Sequence, residues 1–164
     1  MKRIFDLTLS LLLILISLPL MIIIISILKY LYRGPIFFSQ IRAGLNGTPF
    51  KIIKFRTFSS DKIILGKFAL YLRKVKLDEI PQLINILIGD LSFVGPRPLY
   101  LDYIKLYNSD QMKRLSVKPG LTGLAQIRGG NALSWKEKFE IDCEYVNKKN
   151  FFLNMKIILI TFYK

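Results

Sequence analysis

The stretch LTLSLLLILISLPLMIIIISIL, residues 7–28, is apolar throughout apart from Thr8, Ser10, Ser17 and Ser26. It passes the roughly 18–20 residues that a helix needs to cross a bilayer. A cleaved leader fits poorly, because Asp6 precedes the run and no pair of small residues marks a cleavage site after it. The flanks bear on its course. Lys2 and Arg3 stand at one end and Lys29 and Arg33 at the other, so the positive-inside tendency draws both ends to the cytoplasmic face. Pro19, near the middle, removes a backbone donor and bends the helix, and the Ser17 hydroxyl is placed to satisfy a carbonyl freed by the bend. Two arms of about 11 residues, each ~17 Å long, would dip into one leaflet without crossing ~30 Å of hydrocarbon. From these residues, re-entrant hairpin and spanning helix both stand.

Outward from that run, the 164 residues make one domain, with 1–33 as membrane segment and flanks and 34–164 as the remainder. The formal charge of +14 points to an anionic partner: nucleic acid, acidic headgroups or phosphorylated substrates. Histidine is absent, which removes the usual general base, the commonest zinc ligand and every Ser-His or Cys-His pair. Any catalysis rests on carboxylates, Lys, Arg or a metal. The single cysteine, Cys143, has no partner for an internal disulfide and reads as a reduced, buried filler facing the cytoplasm.

Segments 36–42 and 50–57 mix Ile and Phe with polar residues around the turn cluster AGLNGTP, which predicts a β-hairpin carrying Arg42, Lys51, Lys54 and Arg56. Residues 63–76 predict an amphipathic helix, with Phe68, Leu72 and Val75 on one face and Lys62, Lys67, Arg73, Lys74 and Lys76 elsewhere, suited to an anionic membrane surface. A short apolar helix follows Asp78 and closes at Gly89. Residues 92–98, SFVGPRP, form a stiff loop with prolines on both sides of Arg97, and 117–128 a second structured loop. Ser134 and Glu137 make a capping box for a helix carrying Trp135, Phe139 and Tyr145, and 151–163 is apolar again. The fold class is α/β, mostly helical and membrane-associated.

Asp78-Glu79 stands among Arg73, Lys74 and Lys76, ahead of Pro81. One reading is a well-started helix, with Asp at the cap, Glu in the first turn and Pro close behind. The other is chemical. A carboxylate at a helix N-terminus beside arginine stays ionised where phosphate also collects, as an acyl-phosphate-forming nucleophile requires. Adjacent carboxylates with substrate phosphates also suit Mg²⁺. Arg97, held by prolines, either decorates a turn or grips phosphate bidentately.

The motifs KFRT (54–57), LDEIPQ (77–82), GDLSFVGPRP (89–98) and PGLTGLAQ (119–126) together resemble the bacterial sugar transferase family, the monotopic phosphoglycosyl transferases, in the family's order and over nearly the whole chain. The resemblance implies that Asp78 attacks the β-phosphate of a UDP-sugar and releases UMP. The phosphosugar then passes to polyprenyl (undecaprenyl) phosphate at the cytoplasmic face of the bacterial inner membrane, the first membrane step of a surface glycan. It implies roles for Glu79 in supporting Mg²⁺ and the nucleophile and for Arg73 and Arg97, with Pro96 and Pro98, in binding phosphate. Lys54 and Arg56 are secondary candidates for the same pocket, and Ser17 and Pro19 mark the membrane break. The compact form resembles the branch using N-acetylated sugars.

Three departures stand out: SLP at 17–19 where Ser-Pro is common, a short stretch between Thr57 and Leu65, and GGN at 129–131 in place of Gly-Arg-Asn, for which Arg128 is a substitute candidate. A nucleic-acid binder would explain the charge but neither the apolar segment nor the Asp-Glu pair. A catalytically silent module binding polyprenyl-linked glycans is the second alternative.

Overall fold

The computed structural model describes residues 2–32, 34–59 and 63–163. Arg33 at the membrane flank and Lys62 at the start of the amphipathic segment lie outside the described residues, as does part of the short stretch after Thr57. The first element is helix α1, Lys2–Leu31, with Pro19 inside it. Among the described residues it is the one helix long and apolar enough to cross a membrane. The two arms read from the sequence are therefore one continuous helix. Ser17 Oγ donates to the Ile14 carbonyl at 3.3 Å. The carbonyl that Pro19 cannot serve as donor is that of Leu15, four residues back.

Strands β1, Phe37–Ala43, and β2, Pro49–Phe55, form the predicted antiparallel hairpin, with Phe38 opposite Lys54 and Arg42 opposite Phe50. Helix α2 spans Gly66–Lys74, three residues later than its sequence pattern suggests. The cause is local. Ile63 exchanges hydrogen bonds with Ser59, Phe58 bridges Ile64, and Gly66 has a φ of +80°. Helix α3, Gln82–Ile88, ends at Gly89, whose φ of +103° closes it as expected. Strand β3, Ser92–Val94, pairs in parallel with β4, Gly120–Thr122. Between them lie α4, Ser109–Met112, and two 3₁₀ turns. Helices α5, Leu124–Arg128, α6, Trp135–Lys148, and α7, Phe151–Tyr163, complete the chain. The Ser134–Glu137 capping box at the start of α6 is formed as read.

The main core joins Phe50 and Ile52 of β2, Leu83 and Ile86 of α3, Phe93 of β3 and Tyr145 of α6, with Phe5, Leu9 and Leu13 of α1 packed against it. A second cluster gathers Ile24 and Leu28 of α1 with Phe55 and Leu72. Both ends of α1 thus rest on one body, while Leu11, Leu12, Leu15, Ile16, Ile22 and Ile23 are exposed between them. The polar residues of its first turns make specific bonds. Arg3 donates to the carbonyls of Ile86 at 2.6 Å and Leu87 at 2.8 Å, serving the last turn of α3 where a cation is favoured. Lys2 donates to the Val94 carbonyl, and buried Asp6 accepts from the Phe93 N–H.

Candidate active site

The turn that carries Asp78 is built by an unusual backbone step. Lys76 adopts left-handed geometry, with φ +59°, so the chain leaves α2 sharply and enters a 3₁₀ turn over Leu77–Glu79. That conformation is sterically costly for a residue with a side chain. The turn closes with Glu79 N–H on the Lys76 carbonyl and Ile80 N–H on that of Leu77. Pro81 follows as the cap residue, so α3 starts at Gln82 rather than directly after Asp78.

Asp78 is only 5% exposed. Glu79 beside it accepts from Lys54 Nζ at 2.5 Å, and Arg97 Nη2 stands 3.6 Å from the same carboxylate oxygen. The two carboxyls respond in opposite ways. Burial, together with the Glu79 charge, pushes Asp78 above the ordinary aspartate value against the pull of Lys54 and Arg73. For Glu79 burial also acts upward, but Lys54 and Arg97 outweigh it and hold the carboxyl below its usual value. The sequence reading, in which nearby cations dominate at Asp78, understates burial at that position.

Arg73 is fixed by stacking 4.4 Å from the Phe58 ring centroid, with Nη1 3.5 Å from the buried Thr57 hydroxyl. Lys54, Arg73 and Arg97 therefore converge on the Asp78-Glu79 pair from β2, α2 and the PRP loop. Pro96 and Pro98 border Arg97 in that loop. Arg56 is turned elsewhere: its Nε donates to the Phe58 carbonyl and its guanidinium lies against Gly34. Arg128 pairs with Glu144 of α6 through both terminal nitrogens, so its guanidinium is engaged by α6 rather than by the Asp78-Glu79 turn.

As a donor set, the pair suits a hard cation shared with phosphate oxygens. Lys54 and Arg97 both lie against Oε1 of Glu79, leaving Oε2, and Asp78 adds a second carboxylate. Two protein carboxylates is the share Mg²⁺ usually takes when substrate phosphates complete the shell. Among the described residues no group of three acidic, Cys or His side chains forms a closed protein cage.

The model of the family described as bacterial sugar transferase matches residues 1–164. The chain belongs to the bacterial sugar transferase family. Over 171 residues it is 44% identical to an uncharacterized sugar transferase, EpsL, of Bacillus subtilis, covering 98% of this chain and 85% of that one. It is 35% identical to a UDP-glucose:undecaprenyl-phosphate glucose-1-phosphate transferase of Klebsiella pneumoniae, covering 99% of this chain but 39% of that protein. The exopolysaccharide production protein ExoY of Rhizobium meliloti is 34% identical over 98% of this chain and 83% of its own length.

Two features of this sugar transferase escape sequence reading. Asn85, fully buried in α3, donates from Nδ2 to the Lys51 carbonyl at 2.7 Å and accepts from the Ile53 N–H at 3.0 Å. It clamps α3 to β2 and so sets Lys54 opposite Glu79. A lone Asn amid Leu83, Ile84, Ile86 and Leu87 is the trace it leaves in the sequence. Arg42 stacks 3.7 Å from the Tyr100 ring centroid, just past the PRP loop, and is held there by Gln40. No spacing in the sequence pairs these two.

Proposed function

We propose that this sugar transferase moves a sugar 1-phosphate from a UDP-sugar to polyprenyl phosphate through a covalent phosphosugar on Asp78. The observation that carries the reading is the buried Asp78 carboxylate, made more basic by its surroundings, in a turn on which three cationic side chains converge. Burial strips water from the oxygen and strengthens it as a nucleophile, while Glu79 takes up the charge of Lys54 and stays ionised.

In the first half-reaction an Asp78 oxygen bonds to the β-phosphorus, and the bond from that phosphorus to the bridging oxygen breaks. UMP departs with the electron pair. In the second half-reaction an oxygen of polyprenyl phosphate attacks the same phosphorus, the acyl-phosphate bond breaks, and Asp78 returns as a carboxylate. Arg97 and Arg73 are suited to holding the phosphate oxygens, Arg97 through its fork and Arg73 through its stack on Phe58. Glu79, with Asp78, would hold Mg²⁺. When bound, the ion neutralises charge that builds on the departing nucleotide.

The membrane geometry supports the same scheme. A 30-residue helix is ~45 Å long, enough to span ~30 Å of hydrocarbon. Yet Arg3 near its start and Leu28 near its end both contact the body that carries Asp78. That favours a re-entrant course from the cytoplasmic face, with the site at headgroup level, where a lipid phosphate and a soluble UDP-sugar can both arrive.

The test uses protein in lipid nanodiscs with Mg²⁺ and a panel of UDP-sugars. Wild type should release UMP, and without polyprenyl phosphate it should gain the mass of one phosphosugar on the peptide containing Asp78. Asp78→Asn should do neither. UMP release by Asp78→Asn at the wild-type rate would overturn the covalent scheme.

A further inference from the structure

Arg114 lies far from Asp78 in sequence and is 4% exposed, and its partner Asp142 on α6 is 3% exposed. The guanidinium reaches Asp142 Oδ2 through Nη2 at 2.8 Å and Nε at 3.2 Å, and donates from Nη1 to the Tyr107 hydroxyl at 2.7 Å. The rings of Tyr107 and Phe139 stand beside it. Its remaining bond leaves this cluster: Nη2 donates to the Arg97 carbonyl at 2.8 Å.

That bond has a particular value because of the prolines. The peptide linking Arg97 to Pro98 has no N–H, so its plane can be anchored by hydrogen bonding only through the Arg97 oxygen. The peptide before Arg97 is anchored the same way, with the Pro96 carbonyl accepting from the Gly120 N–H at 3.0 Å. Pro96, Pro98 and Leu99 are buried and seat the loop by packing, whereas the exposed Arg97 between the two prolines has its peptide orientation set by these carbonyl bonds. Buried ion pairs also add little stability over an apolar pair of similar size, so stability alone does not account for this one.

We propose that Arg114, braced by Asp142, is a positioning residue for the transfer reaction: it fixes the peptide plane after Arg97 and thereby aims the Arg97 guanidinium at Glu79 and the phosphates of the nucleotide sugar. The inference rests on the proposed role of Arg97 in phosphate binding.

The experiment is a double-mutant cycle on UMP release, with Arg97→Ala, Arg114→Met and the two combined, in nanodiscs with Mg²⁺ and polyprenyl phosphate. Arg114→Met should lower kcat/KM for the UDP-sugar by about 10- to 100-fold, the scale of a misplaced binding group. In the Arg97→Ala background the same change should cost less than about 2-fold, because residues acting as a unit are not additive. Losses that multiply would overturn the proposal and leave Arg114 a structural residue. A folding control separates the two further. Arg114→Met with Asp142→Leu removes both charges together, which should keep the Tm at or above wild type. Its kcat/KM should stay low, and recovery to wild type would overturn the proposal. An Arg97→Ala variant as active as wild type would instead sink the reading of Arg97 itself, and with it this inference. Absence of UMP release from wild type with every sugar would sink the transferase scheme.

Discussion

Lys54 Nζ lies 2.5 Å from Glu79 Oε1, and this one bond ties strand β2 to the turn that carries Asp78. Because Glu79 titrates below its ordinary value in the fold, the pair stabilises the protein above the usual glutamate range. That stabilisation is lost as pH falls through the depressed value. Lys54→Met should therefore flatten the loss of Tm between about pH 5 and pH 3 relative to wild type, read by thermal unfolding across that range. At pH 7 the same variant should lose about 10- to 100-fold in kcat/KM if the proposed scheme holds, because Glu79 would be displaced from Asp78. Identical Tm profiles for the two proteins would show that the ion pair contributes nothing.

Asp78 gives the opposite sign. Its folded value is raised, first by burial and then by Glu79, so the ionised carboxylate costs stability at neutral pH. The contribution is favourable below the unfolded value and is lost as pH rises through the folded one. Asp78→Asn should raise Tm at pH 7, with the difference shrinking toward about pH 3, while UMP release falls by roughly 10³-fold or more. A lower Tm for the variant at pH 7 would show that Asp78 is stabilising, which a nucleophile held out of water is not expected to be.

The parts of this site that were legible from sequence are those encoded locally. Gly89 ends α3 with positive φ, Ser134 and Glu137 cap each other, and the Ile- and Phe-rich segments around AGLNGTP form the hairpin. The β3–β4 pair was not legible, because three-residue strands amid Gly and Pro read as loops and parallel partners 28 positions apart share no turn. Arg114–Asp142 and Arg42–Tyr100 escaped for a related reason: each joins residues on different elements, and nothing in the spacing of either chain segment sets them in register. Val75 shows where the helical pattern overruns: the amphipathic spacing carried the helix through residue 76, but α2 ends at Lys74 with Val75 as its cap, and the residues of α2 that are buried are Ala69, passed over in the pattern, and Leu72.

Asn85 offers a test of how far the scaffold sets the chemistry. Asn85→Ala leaves the Lys51 carbonyl and the Ile53 N–H without their side-chain partner in a partly buried setting, which should cost about 1–3 kcal/mol. Asn85→Asp keeps an acceptor for Ile53 but sets a fully buried carboxylate against the Lys51 carbonyl and the Asp90 carboxylate, and should cost at least as much as Ala in chemical denaturation. Because β2 carries Lys54, kcat/KM should fall in both variants. A fall in stability with unchanged kcat/KM would show that α3 and β2 need no clamp to align Glu79 with Lys54.

The course of α1 is testable with the protein's own chemistry, since Cys143 is its only cysteine. In a Cys143→Ser background, Ile4→Cys and Tyr30→Cys place thiols at the two ends of the helix, at positions exposed in the structure. Both ends rest on the body that holds Asp78, through Arg3 at one and Leu28 at the other, and both flanks are basic. A membrane-impermeant maleimide should therefore label both cysteines in inside-out vesicles and neither in right-side-out ones. Labelling of the two from opposite sides would make α1 a spanning helix, and the bonds from Arg3 to α3 could not then coexist with Leu28 packing in one membrane-embedded molecule. Replacing Pro19 by Leu supplies the N–H that the Leu15 carbonyl lacks and stiffens the middle of α1, so Pro19→Leu should shift part of the population toward opposite-side labelling. The share that shifts measures how strongly the Arg3 and Asp6 bonds hold the first turns of α1 to the body that carries Asp78.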